Sequence, residues 1–334
     1  MRVSRLDPFE ERPRRTWRRR LTLLGAVVEF ECDSPALRAV VDAAYAGIPA
    51  PRPRARAPRY FVRIRTATDS ATFRGEPPQP RLTSGAGLLC ASVDASNYTV
   101  VDPASRSALI VASPAMLAHP YYLRCEFVEF ALFTLAARDQ AVVALHAACV
   151  GHGNRGVLLL GQSGAGKSTA TLQSMLSGLA VLSEDVVFVE PRRMRATGVP
   201  NFLHLRRESL RLLSRPLARR IRSAPLIRRR SGVIKHEFDL RQFEGAAALQ
   251  PLQLVATVVL SRRRAKRGAP LLEKLLVEPL LRALDQDQPY ARTRAHWHAL
   301  RRGLGKIPAY QLLRGADPAQ AGVELRRLLR GTRA

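Results

Sequence analysis

The stretch Gly156–Phe188, GVLLLGQSGAGKSTATLQSMLSGLAVLSEDVVF, contains an apolar run, a glycine loop, a helix-length segment and a second apolar run closing at Glu184-Asp185. Gly161–Ser168, GQSGAGKS, fits the pattern GxxxxGK[ST] in full. Glycines there let successive backbone N–H groups turn toward one anionic centre, and a following helix adds the partial positive charge of its N-terminus. Gly161, Gln162, Ser163, Gly164, Ala165, Gly166, Lys167, Ser168 and Thr169 are therefore expected to cradle nucleotide phosphates. Lys167 would reach the β- and γ-phosphates, and the Ser168 hydroxyl would ligate Mg²⁺. The apolar run before the loop and the helical segment after it, ended by Gly178, supply the strand–loop–helix–strand context that such a loop requires.

Spacing separates the classes of protein that share such a loop. A transporter ATPase needs a signature loop and an acidic strand far downstream, and "LQSMLSGLA" echoes that signature only faintly, inside the loop's own helix. A GTPase needs an NKxD-type base-recognition motif, which this chain lacks. Here the nearest acids close the very next strand. A right-handed β-α-β crossover is expected to set the two parallel strand ends side by side, with Glu184 and Asp185 against the γ-phosphate.

The whole chain bounds the reading. Its 334 residues are 46% hydrophobic, enough for a substantial globular core. No apolar h-region opens the chain and no run approaches the roughly 20 residues that span a bilayer, so no membrane role is expected. Cys32, Cys90, Cys125 and Cys149 are widely spaced with no CxxC pair, which fits a cytoplasmic protein with reduced thiols. The formal charge of +27, from 54 Lys+Arg against 27 Asp+Glu, invites a polyanionic partner. Only five of those 54 are lysines, a ratio that looks like coding bias more than nucleic-acid design.

Three regions follow: a basic arm over 1–20, a β-rich region with two helices over 21–139, and a catalytic domain over 140–334. Arg20–Cys32 reads as a strand and the next segment as a helix capped by Ser34, with Pro35 in its first turn and Gly47 past its end. A Pro/Arg linker over 51–59 leads to the alternating strand "YFVRIRT", and shorter strands fit "GLLCASVD", "NYTVVD" and "SALIVAS". His119–Gln140 has helical length and period. In the catalytic region, "AVVALHAACV" and "GVLLLG" read as neighbouring strands joined by a turn within 151–156. "LQLVATVVLS" reads as a central strand, "AYQLL" as a short one, and the segment from about Asp317 to Arg330 as a final amphipathic helix. Arg206–Arg230 holds ten arginines and one acid, Glu208. It reads most simply as a solvated face, with a mobile "RRRSG" at its end, or as a basic surface that holds an acidic substrate. His296 and His298 sit two apart on a helix, face apart and read as surface.

The residues "LHAACVGHGNRGVLLLGQSGAGKST" and "LAVLSEDVVF" together resemble the catalytic domain of the HPr kinase/phosphorylase family and its smaller relatives. The likeness runs from about Leu145 to Val189 and extends, more faintly, to "GVPNFLHLR" and "GKIPAYQLL". It implies an α/β P-loop kinase fold of the HPr kinase and phosphoenolpyruvate carboxykinase type, with a β-rich N-terminal half. It also implies ATP and Mg²⁺ as cofactors and transfer to a serine of a small protein or peptide. By the resemblance, His146 lies beside the phosphates and Lys167 and Ser168 on phosphate and metal. Glu184 takes the place of the base and Asp185 that of the metal contact. The chain departs from the family pattern at Glu184, where Asp is usual, and at Thr169, where the bifunctional enzymes carry Glu. It also lacks their downstream glycine-rich signature, so phosphorolysis is not expected.

The expected function is an ATP- and Mg²⁺-dependent serine kinase acting on a protein or peptide, whose acceptor carries acidic character if the arginine run engages it. A nucleotide-dependent regulatory or assembly module without kinase activity is the alternative, and a nucleic-acid-associated ATPase is a weaker one. Histidine in an apolar strand is often core, so His146 has a structural reading beside the functional one. Glu184-Asp185 likewise has a reading as a strand cap, and a homo-oligomer is left open.

Overall fold

The computed structural model describes residues 16–49, 56–68, 72–248 and 250–331. They fall into two compact units, one built within 1–21, 27–46 and 58–135, the other within 22–26, 47–57 and 136–334.

The first unit carries a seven-stranded sheet. Its strands are β1 (Trp17–Leu23), β2 (Ala26–Cys32), β3 (Arg59–Thr66), β4 (Arg81–Gly85), β5 (Leu88–Asp94), β6 (Asn97–Asp102) and β7 (Ser107–Ala112), in the order β1-β2-β3-β7-β6-β5-β4. Alternation decides its buried face: Val28, Phe30 and Cys32 on β2 and Tyr60, Val62 and Ile64 on β3 are all buried. Helix α1 (Pro35–Tyr45) begins as its sequence predicts, with the Leu37 N–H donating to Ser34 Oγ at 3.3 Å.

Several expectations are corrected here. Arg20–Cys32 is a hairpin rather than one strand, because Leu24 and Gly25 both adopt positive φ and turn the chain between β1 and β2. Of the basic arm, 1–15 lie outside the described residues and Trp17–Arg20 belong to β1, while the Pro/Arg linker lies outside them over 51–55. Strand β4 is exposed throughout and gave no alternation to read. The helix expected over 119–140 follows a short α2 (Pro114–Leu117) and divides into α3 (Pro120–Tyr122), a π-helical turn over Leu123–Val128 and α4 (Glu129–Asp139).

The second unit holds the glycine loop. In chain order it contains β8 (Val143–Leu145), β9 (Ala148–His152), β10 (Arg155–Leu160), α5 (Lys167–Leu176), β11 (Ala180–Ser183), β12 (Val187–Glu190) and β13 (Arg195–Thr197). Next come β14 (Phe202–Leu205), α6 (Arg215–Arg222), β15 (Leu226–Arg228), β16 (Ile234–Asp239) and β17 (Leu252–Arg264). The unit closes with β18 (Leu272–Lys274), α7 (Val277–Asp287), α8 (Trp297–Leu304), β19 (Ala309–Arg314) and α9 (Ala319–Gly331). A nine-stranded sheet runs β11-β9-β10-β17-β13-β12-β8, with β19 also on β17 and β18 on β19. A separate three-stranded sheet runs β14-β16-β15.

Strand β10 shows why its run "VLLL" is uninterrupted. Val157 and Leu159 pack with Leu172 of α5 and Leu325 and Leu329 of α9. Leu158 and Leu160 pack with Leu280 and Leu284 of α7 and Leu300 and Leu304 of α8. A strand covered on both faces needs apolar residues at every position.

The expected crossover is corrected in one respect: β11 is not the neighbour of β10. Strand β9 lies between them, antiparallel to both, and the parallel neighbour of β10 is β17. The tight turn at Gly153-Asn154 lets β9 and β10 pair locally, which fills that edge of β10 first.

Two chain passages then run antiparallel past one another. Ser183 stands opposite Cys149, and Val187 opposite Leu145. Four residues forward on one passage match four back on the other, so the register continues across two interruptions. One interruption is His146-Ala147; the other holds Glu184 and Asp185. Among the described residues no helix is long and apolar enough to cross a membrane, and no disulfide joins the four cysteines.

Truncating Leu158 to Ala leaves a cavity in a doubly covered strand. Its expected cost is about 2–5 kcal/mol, seen as a lower urea midpoint with an unchanged slope; an unchanged midpoint would show the layer to be loosely packed.

Candidate functional site

The glycine loop joins the C-terminal end of β10 to the start of α5. Gly166 holds φ +110° at the helix N-cap, a left-handed conformation that a side chain would strain. The loop is pinned from the sheet: Arg262 of β17 donates to the Ser163 carbonyl at 2.9 Å, and Arg314 of β19 to that of Gly164 at 3.4 Å. Lys167 is buried and donates to the Gly161 carbonyl across its own loop. Burial lowers its pKa, while Asp185 and Glu184 pull the other way.

Two acids face this loop from the gap between β11 and β12, in very different surroundings. Glu184 is buried, accepts a hydrogen bond from the Ser168 hydroxyl, and lies 3.1 Å from His204 Nδ1. His204 Nε2 in turn lies 3.1 Å from Glu237 Oε1, so one imidazole bridges two carboxylates. Burial pushes the His204 pKa down, but the hydrogen bonds to Glu184 and Glu237 outweigh it and the net shift is upward. Burial likewise pushes Glu184 up, and the His204 hydrogen bond brings it below its ordinary value.

Asp185 is 31% exposed and has two partners: His146 Nδ1 at 3.2 Å and the Arg229 guanidinium at 2.6 Å. Burial acts to raise its pKa, but the His146 hydrogen bond and the Arg229 charge hold it well below the usual carboxylate range. His146 is 50% exposed, so it is not a core residue. Its position is set by Gln288, just past α7: the side-chain amide accepts from the His146 N–H at 2.8 Å and donates to the His146 carbonyl at 3.0 Å. The amide replaces the strand partner that His146 lacks where β8 gives way to β9.

These groups surround one cavity of about 590 Å³, lined by His146, Lys167, Ser168, Glu184, Asp185 and Arg229, by loop residues Gln162–Gly166 and by Thr169. Gly161 stands at the loop's root, under Lys167. Thr169 Oγ1 lies 3.3 Å from Ser209 Oγ. His296 and His298 are exposed.

Nine of the ten arginines in the run are exposed, as a solvated face requires, and Arg229 is the exception. The run forms a 3₁₀ turn over Arg207–Leu212, then α6 and β15, and its "RRRSG" end makes the turn that carries Arg229 to Asp185. Sequence reasoning missed Arg229, His204, Glu237 and Gln288 as site residues. The one available signal for His204 was its place in "GVPNFLHLR".

The donor set fits a hard divalent cation. Ser168, Glu184 and Asp185 offer oxygens on one side of the cavity, and Glu184, Asp185 and His204 each bring a ligand atom within 4.8 Å of one another. His204 is the poorer ligand, because both ring nitrogens already face carboxylates.

By sequence, no family model and no curated protein matches the chain. Among solved structures it is similar to the Hpr(Ser) kinase/phosphatase from Coxiella burnetii, at 14% identity and a TM-score of 0.31, covering 55% of this chain and 95% of that one. A likeness at this level carries no argument about chemistry, which rests on the side chains.

The paired pKa shifts set a pH dependence. A raised histidine pKa gives stability that is full below the ordinary value of 6.5 and is lost as pH rises through the folded-state value. A lowered carboxylate pKa gives stability present above 4.5 and lost as pH falls through the folded-state value. In metal-free buffer, the stability excess of the wild type over His204→Gln is therefore expected to be largest between those limits. It should shrink toward pH 9 in urea titrations; a constant excess would mean that His204 is uncharged when folded.

Proposed function

We propose that this chain is an ATP-dependent kinase of the P-loop type that transfers the γ-phosphate to a serine hydroxyl of a protein or peptide. The observation that carries the reading is the hydrogen bond between Ser168, at the head of the loop's helix, and Glu184, whose neighbour Asp185 opens into the same cavity. A glycine loop alone speaks only for phosphate binding. A loop hydroxyl already in contact with one of two adjacent acids speaks for transfer, which needs charge neutralisation and an aligned nucleophile.

The contacts favour roles opposite to those the resemblance implies. Glu184, buried against Ser168 and held by His204, belongs on the metal side, together with the Ser168 hydroxyl. Asp185, partly exposed and oriented by His146 and Arg229, belongs on the acceptor side. Magnesium, when bound, would draw charge from the β- and γ-phosphate oxygens. Lys167 would leave the Gly161 carbonyl to meet those oxygens, with the α5 N-terminus behind it. Asp185 would accept a hydrogen bond from the serine hydroxyl and take its proton as the new O–P bond forms and ADP leaves. Its low pKa suits a group that aligns the hydroxyl early and receives the proton late, as a loose transition state requires.

The test incubates the protein with γ-labelled ATP, Mg²⁺ and the products of neighbouring genes, and locates the label. Asp185→Asn should keep affinity for an ATP analogue and lower transfer by about 10²-fold or more. Glu184→Gln should raise the Mg²⁺ concentration needed for half-maximal rate, and Lys167→Ala should weaken analogue binding and abolish transfer. ADP release with no labelled acceptor would move the reading to a nucleotide-dependent regulatory module. Wild-type transfer in both acid variants would remove the mechanism altogether.

A further inference from the structure

The three-stranded sheet places its charge in a pattern that the nucleotide does not account for. Its register sets His204 opposite Glu237 and Leu205 opposite His236, where β14 ends; Arg206 follows directly, and its charge acts on Lys235. On the other edge, Ile227 pairs with Lys235, and the Arg229 N–H donates to the Val233 carbonyl. Side chains two apart share a face. One face therefore bears His204, Lys235, Glu237 and Arg229, and the other bears Leu203, Leu205 and Phe238, which are buried in the core. The charged face lines the cavity through His204, Arg229 and Lys235, and Arg206 lines it too.

Rows along this face differ. His204 and Glu237 are mutually satisfied, and Arg229 is bound to Asp185. Arg206 and Lys235 are like charges lining the same cavity, near enough for the Arg206 charge to act on Lys235. Neither has an ion-pair partner among the described residues. Lys235 is half-buried, and burial lowers its pKa; the charges of Glu184 and Asp185 act to raise it, and those of Arg229 and Arg206 to lower it. Of the acids nearest to it, Glu184 is engaged by Ser168 and His204, and Asp185 by His146 and Arg229. The glycine loop has its own cation in Lys167 and its own helix N-terminus. Arg206 and Lys235 instead line the cavity from the three-stranded sheet, whose β15 end carries Arg229, the partner of Asp185.

We infer that Arg206 and Lys235 form an anion subsite, separate from the nucleotide site, that takes a carboxylate or phosphate group carried by the acceptor beside its serine. This deepens the kinase reading and rests on it for the word acceptor, while the subsite itself requires only binding. The bound anion lies between two cations that otherwise repel, so both contacts are charge-assisted and weaken with salt.

The probe is inorganic phosphate, titrated calorimetrically into full-length protein already saturated with Mg²⁺ and a non-hydrolysable ATP analogue. One further site is expected, weakening as salt rises. Lys235→Met and Arg206→Gln should each weaken it about tenfold or more, Lys235→Arg should retain it, and affinity for the analogue should change less than twofold. Absence of phosphate binding, binding that only competes with the analogue, or binding unaffected by these variants (an adventitious ion only) would each overturn the inference. Competition would assign the two cations to the nucleotide's own phosphates. A second arm offers γ-labelled ATP and a serine peptide array varied in acidic neighbours. Label without acidic preference would also overturn the subsite and leave the kinase reading standing, whereas a phosphate site with no labelled peptide and no ADP would keep the subsite and remove the kinase reading.

Discussion

The buried chain Ser168–Glu184–His204–Glu237 is the constraint on which the site depends. A carboxylate as buried as Glu184 is tolerated only when it is paired and hydrogen-bonded. Here one oxygen faces the Ser168 hydroxyl and the other faces His204, itself anchored on Glu237. The chain therefore ties the head of α5, the end of β11 and the face of the three-stranded sheet to one another. Removing any inner member leaves a buried charge without its partner, which costs more than the pair contributes. The geometry is fixed by that penalty, so the glycine loop and the acid pair keep their relative positions.

The site lies where the large sheet is interrupted. Two antiparallel passages keep one register, yet both leave the ladder at the same level, at His146-Ala147 and at Glu184 and Asp185. Within a strand, adjacent acids would point to opposite faces; at a break they need not. Glu184 turns to Ser168 while Asp185 turns to His146 and Arg229, and the two carboxylates acquire different surroundings from adjacent positions. Gln288 makes the interruption tolerable by supplying the hydrogen bonds that His146 would otherwise draw from a strand.

The large positive charge has a local meaning that composition obscures. Most of the arginines lie on exposed surface, and such charges contribute little to the fold. A few are placed where direction matters: Arg262 and Arg314 hold loop carbonyls, and Arg229 orients Asp185. Arg206 and Lys235 are distinguished by lining the cavity with no ion-pair partner among the described residues.

Sequence by itself determined the elements whose signals are local. The glycine loop, the helix from Lys167, the apolar run of β10, the central strand β17 and the acids after β11 all follow from spacing and period. Tertiary structure decided the rest. Whether β9 or β11 lay beside β10 was not legible, because a crossover and a tight hairpin compete for the same strand edge. His204 and Glu237 sat in short strands of a small sheet, too brief for a period to emerge. Gln288 meets His146 across 142 residues, and Arg229 meets Asp185 across 44. A period of two or 3.6 residues reports which way a side chain points within its own element; it contains nothing about a partner so far along the chain, and that partner is what gives each acid its role.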